Sequence, residues 1–227
     1  MTDDSPHPLR APGSATLAAV ALTIAIVFAA TRVFPTSTGR VGLMYFLGTM
    51  CALLAYAGIA YAARRAEDAE TISALRAGGR VGAVMAVIAI ALLVYNAVGP
   101  RTLPAIRIFV TGNWMVLVLG LSFAGGWGAA RTGSVKLGLL SSIWAAVVST
   151  AFEVLVTFTL GLAWMSEMKK RLFAEFDASG MTDSSAFIVR SMMAQTVPQL
   201  VRPLVGALLL GAIGALLATV ITRTRSR

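Results

Sequence analysis

One acidic side chain stands where an acid is expensive. Glu153 lies in the run Ser149-Thr150-Ala151-Phe152-Glu153-Val154, inside the longest apolar stretch of the chain. A carboxylate at bilayer depth costs about 2.5–3.5 kcal/mol on insertion scales, and such residues face a protein interior or a water-filled cavity. Two chemistries are open to it. As a functional group it would be a proton or cation site, or the counter-charge of a substrate. As a structural group it would be a protonated or hydrogen-bonded packing residue, paired with Asn96, Asn113, Ser149 or Thr157.

Asn113 and Asn96 are the next polar positions within apolar stretches. Amides there cross-link helices at about 0.6 kcal/mol on average, so packing is the simpler reading of each. Arg107 would reach Glu153 only if its long side chain turned inward; snorkelling to the headgroups is the simpler geometry.

What is missing narrows the chemistry. The single histidine is His7, near the N-terminus. His-ligated haem, His-based metalloprotease sites and Ser–His hydrolysis are therefore not expected. No aspartate falls within an apolar stretch, and no phosphate-cradling glycine loop is present. No nucleophile–base pair can be assembled. The reading is of a protein that is not an enzyme, with no cofactor and no metal. The one cysteine, Cys51, reads as a small apolar packing residue.

The elements that must position Glu153 are six apolar stretches, near residues 15–34, 41–63, 80–99, 108–129, 137–164 and 203–222. A bilayer core of about 30 Å needs about 20 mostly apolar residues as a helix. Hydrophobic residues make up 57% of the 227, and charged residues only 13%, against about 25% in a soluble domain. The fold class is all-α: a polytopic membrane protein with six transmembrane helices. Residues 1–14, with three prolines and two aspartates, read as a disordered tail. Residues 15–227 read as one membrane domain whose first helix is retained.

Residues 64–76 read as a helical extension of span two into water, with Arg64 and Asp68 on one face and Gly78-Gly79 breaking it before span three. Residues 165–201 read as an amphipathic helical hairpin between spans five and six. Met165, Met168, Leu172 and Phe176 recur at helical spacing in its first limb. Gly180 suits a helix end, and Thr182 or Asp183 can cap the second limb. The apolar face of that limb is Ala186, Val189, Met193 and Val197. Pro198 is expected to stop it, and Pro203 to open span six. On this reading no span is broken at its middle by Gly or Pro. Ala207, Gly211, Gly214, Ala215 and Ala218 give span six a flat face for another helix, first of all one within the chain. Trp127 and Trp164 fall near span ends, where aromatic belts sit.

Span two exits as Ala62-Ala63-Arg64 and span four as Ala129-Ala130-Arg131, so pairs 2–3 and 4–5 resemble two copies of one unit. Low-complexity composition also yields such matches by chance; a genuine duplication would be a parallel repeat.

The net charge of +9 is scattered at span ends, which suits the cytoplasmic loops of a membrane protein. It forms no basic stripe interleaved with aromatics, so nucleic acid is not an expected partner. The expected partners are the lipid bilayer and a membrane-protein partner or second copy. Ten Lys and Arg lie on the side of the termini and nine on the other, which places both termini in the cytoplasm.

Lys136-Leu137-Gly138 at a span entry, Gly180-Met181 in the hairpin, and a Gly/Ala-rich last span ending in Arg223, Arg225 and Arg227 make a layout covering about the last 95 residues. This layout resembles that of small bacterial inner-membrane proteins with an amphipathic hairpin before the last span. The resemblance implies architecture and an inner-membrane location, and no activity. Two functions follow as expectations. One is an accessory or assembly subunit acting through helix–helix contacts. The alternative is a small transporter or permease using Glu153 as an intramembrane proton, cation or substrate site.

Overall fold

The computed structural model describes residues 10–99 and 102–225. They form eight α-helices and one 3-10 turn, with no strand among the described residues. The helices are α1 (Arg10–Val33), α2 (Arg40–Arg64), α3 (Ala69–Val98), α4 (Leu103–Thr132), α5 (Val135–Ala163), α6 (Met165–Arg171), α7 (Phe173–Ala178) and α8 (Ser184–Arg225). All but α6 and α7 are long and apolar enough to cross a membrane. Of the tail expected at residues 1–14, residues 1–9 lie outside the described residues, and α1 begins at Arg10.

Local chemistry sets the boundaries. Asp68 accepts from the amides of Glu70 and Thr71 at 3.0 and 3.1 Å and opens α3. Thr102 and Ser134 open α4 and α5 in the same way. Gly133 ends α4 in the left-handed region, at φ 68°, where a Cβ would be strained. Asp183 opens α8 by accepting from Ser185 and Ala186.

Two expectations fail at helix ends. Residues 64–76 are not an extension of span two. Arg64 closes α2, while Asp68 caps α3, so the two residues do not share a helical face. Nor do Gly78 and Gly79 break the chain. Both sit inside α3 because α3 presses on α5 there. A Cβ at Gly78 would collide with the Ser141 backbone, and one at Gly79 would lie 3.2 Å from the Trp144 indole nitrogen. Tertiary contact thus outweighs the weak helix propensity of glycine.

The third difference is the largest. The second limb of the expected hairpin and span six are one helix, α8, of 42 residues, about 63 Å long at 1.5 Å per residue. Pro198 and Pro203 lie inside it. The N-terminal part of α8 is buried rather than laid on a surface: Ala186, Ile188, Val189 and Met193 are at most 1% exposed. Two α2 side chains hold it in place. Thr49 donates to the Met193 carbonyl at 3.1 Å and Tyr56 to the Leu200 carbonyl at 2.7 Å. The two bonds are seven residues apart on each helix, so α2 and α8 run parallel.

The hub is α5, flanked by α1, α3, α4 and α8. Trp144, Val147, Val154 and Phe158 are nearly or wholly buried along it. Its neighbours approach closely through small residues: Gly82 against Ala145, Gly138 against Gly125, and Gly211 against Ser142. Close backbone approach of this kind is how apolar helices gain van der Waals contact without a hydrophobic drive between them. By contrast, α2 makes no extensive contact with α3, whereas α4 and α5 pack together. The pairs 2–3 and 4–5 are therefore not packed as copies of one another. Cys51, expected as a packing residue, is exposed on α2.

Candidate functional site

The antiparallel register of α5 and α8 locates the site. Gly161 meets Met192, Glu153 meets Gln199, Gly211 meets Ser142, and Gly138 meets Ala215. Each step along α5 is matched by an opposite step along α8. Glu153 is therefore level with Gln199, and Arg202 is level with Thr150 and Ala151, near the middle of α5. The sequence count assigned Arg202 to a loop; the unbroken α8 lifts it to mid-height.

At that height α3, α4, α5 and α8 enclose a cleft of about 840 Å³. Glu153, Asn113 and Asn96, the three polar residues singled out from the sequence, all line it. It is extended toward α6 by Trp164, Met168 and Arg171. Its apolar wall includes Phe109 and Trp114 from α4. Four α8 side chains that sequence reasoning passed over complete the polar wall: Ser191, Gln195, Gln199 and Arg202. Their spacing of four, four and three is a helical stripe. It lies opposite the apolar face already recognised in Val189 and Met193. The signal was present, but ending the helix at Pro198 cut the stripe in two.

Glu153 is partly buried, and one carboxyl oxygen accepts from the Gln199 amide at 3.0 Å. The expected partners do other things. Thr157 donates to the Glu153 backbone carbonyl and Ser149 to that of Ala146. The Asn96 and Asn113 side chains make no hydrogen bond among the described residues. Thr150 is 1% exposed, and its hydroxyl has no well-formed hydrogen bond, though the Tyr56 hydroxyl is close enough to interact with it. Arg171 donates to the carbonyls of Asn96 and Ala97 and so closes the end of α3. Arg202 makes no hydrogen bond or ion pair among the described residues. Arg107 is exposed and lies away from the cleft.

The prolines add polarity. Lacking an N–H, Pro198 and Pro203 leave the carbonyls of Ala194 and Gln199 without their usual helical donors. Both residues line the cleft. The helix runs on through both prolines, but two of its carbonyls are left without helical donors where the polar side chains gather.

The small residues of α8 are occupied within the chain. Gly214 abuts Ser122 of α4, Gly211 abuts Ser142 of α5, and Ala207 and Ala215 are wholly buried. Ala218 lies 3.8 Å from where a Cβ on Gly126 would be.

No protein-family model, curated protein or solved structure matches this chain.

Proposed function

We propose that the chain is a multi-pass protein of the bacterial inner membrane, with both termini cytoplasmic, that acts without enzymatic chemistry as a small transporter or permease. The observation that carries this reading is the convergence of Glu153, Gln199, Asn113 and Arg202 at mid-height on one cleft, which Asn96 also lines nearer its α6 end. Ionisable residues at such depth commonly mark solute or ion pathways. The carbonyls of Ala194 and Gln199, freed by Pro198 and Pro203 within the continuous α8, add backbone acceptors to the same wall. In this reading Glu153 is the coupling or binding residue and the amides are solute contacts.

The accessory-subunit reading has weaker support. The flat face of α8 that would serve a partner helix is already used by α4 and α5.

The test begins from a Cys51→Ser background. Asn113→Cys and Gln195→Cys, which line the cleft, should react with a membrane-impermeant maleimide, while Leu119→Cys on the exposed apolar face should not. In proteoliposomes holding a pH-sensitive dye, a mixture of small polar solutes should move protons through the wild type and not through Glu153→Gln. A cleft closed to the reagent, or equal proton movement in the variant, overturns the proposal.

A further inference from the structure

The cleft holds one acid and one guanidinium that is not otherwise engaged, and they do not pair. Glu153 and Arg202 both line it, yet they form no ion pair with each other; the Lys170–Glu167 pair lies apart, on the exposed α6. Glu153 spends one oxygen on Gln199, leaving the second available. Arg171, the other cleft arginine, is occupied with the end of α3. An acid and a guanidinium thus line one cleft, Glu153 partly buried and Arg202 exposed, each with unused hydrogen-bonding capacity. The buried Thr150 hydroxyl in the same wall also lacks a well-formed hydrogen bond.

A low-dielectric cavity penalises net charge. A simple anion would meet Glu153, and a simple cation would meet Arg202. A ligand carrying both signs leaves the cavity balanced. Size argues against a bare ion: caged cations are held by oxygens at about 2.0–2.6 Å, whereas this cavity is about 840 Å³. A carboxylate and an ammonium on one carbon, each with a charge-assisted bond of about 2.8 Å, span roughly 8 Å between partners. That is within reach of a glutamate and a flexible arginine on facing helices. The remaining wall, with Phe109, Trp114 and Leu160, suits an apolar substituent.

We infer that the cleft binds an amphipathic zwitterion, with its ammonium on Glu153, its anionic oxygens on Arg202 and its apolar part against α4. This rests on the solute-binding reading of the cleft. Two sources carry that chemistry: a free α-amino acid with a large apolar side chain, and the headgroup of an ethanolamine phospholipid.

The full chain in phosphatidylglycerol nanodiscs is titrated with L-phenylalanine, phenethylamine and 3-phenylpropionate, read by calorimetry and by fluorescence of the cleft tryptophans Trp114 and Trp164. The zwitterion should bind saturably, with each half-analogue at least about tenfold weaker, a factor equivalent to about 1.4 kcal/mol. Glu153→Gln should reduce phenylalanine to the affinity of 3-phenylpropionate, and Arg202→Gln to that of phenethylamine. Arg202→Lys should keep the preference for the zwitterion, a result that loss of folding could not produce. If the source is lipid, phenylalanine stays silent and native mass spectrometry finds phosphatidylethanolamine retained over phosphatidylglycerol, with the same dependence on Glu153 and Arg202. A half-analogue as tight as the zwitterion, no binding from either source, or unchanged binding in both glutamine variants overturns the inference. Reagent access and proton movement persisting in that event would leave the transport reading intact.

Discussion

At the residue scale the cleft depends on side chains that fasten α8 without touching its contents. The Tyr56 hydroxyl, on a residue 1% exposed, donates to the Leu200 carbonyl one residue beyond Gln199. Tyr56→Phe removes that bond together with the contact of the hydroxyl with Thr150. Interhelical bonds in apolar surroundings contribute about 0.6 kcal/mol and at most about 1.7, so thermal unfolding in detergent should show a loss of that order. No change would mean that α8 is held by packing alone. Asp68 lies outside the spanning segments and titrates. Hydrogen bonding to the Thr71 side chain, the largest cause, holds its carboxyl below its ordinary value of 3.8; desolvation opposes this, and the Thr71 and Glu70 amides add to the lowering. With the folded value depressed, its stabilisation of the first turn of α3 is fully present above the ordinary value. It is lost as pH falls through the folded one. Amide protection at residues 69–72 should therefore drop on acidification. It should not drop in Asp68→Asn, which keeps a capping oxygen and loses the titration.

At the element scale α5 is set by how near its neighbours can come. Gly78 and Gly58 give a contrast within apolar helices. A Cβ on Gly78 would strike the Ser141 backbone, whereas one on Gly58 meets nothing within 4 Å. Gly78→Ala should cost about 1–3 kcal/mol through overpacking. Gly58→Ala should be neutral or stabilising by about 0.5–1 kcal/mol, since glycine is the poorer helix former. Equal melting shifts for the two would contradict the close packing of α3 on α5. The same contact explains why α3 continues through Gly78-Gly79: the pair that weakens a helix in water is the pair that admits a neighbouring backbone.

At the scale of the whole molecule the question is which face meets which compartment. Moving Arg202 from a loop to mid-height leaves ten Lys and Arg on the side of the termini against eight on the α6 side, so the charge bias keeps its direction. In intact cells carrying Cys51→Ser, Asp177→Cys, exposed near the end of α7, should react with an impermeant maleimide. Glu67→Cys, exposed between α2 and α3, should react only after permeabilisation. The opposite pattern would invert the topology and put the α6 end of the cleft in the cytoplasm.

Composition and hydropathy by themselves determined that six helices are long and apolar enough to cross a membrane, because each such segment must satisfy its own backbone hydrogen bonds. The unusual depth of Glu153 was legible for the same reason: it reads from position within one apolar stretch. Asn96 and Asn113 were legible as polar positions too, but not as neighbours in one cleft, since segments far apart in sequence carry no record of register. Pro198 and Pro203 were misread because propensity is a local property, while Thr49 and Tyr56 of α2 grip α8 on either side of Pro198, at Met193 and Leu200. Only the tertiary structure decided that α8 is continuous. That continuity raised Arg202 to the height of Thr150, joined Ser191, Gln195 and Gln199 into one polar stripe, and gave Glu153 its amide partner. The physical reason is that helix ends follow local chemistry unless neighbouring helices supply more contact than a break would save.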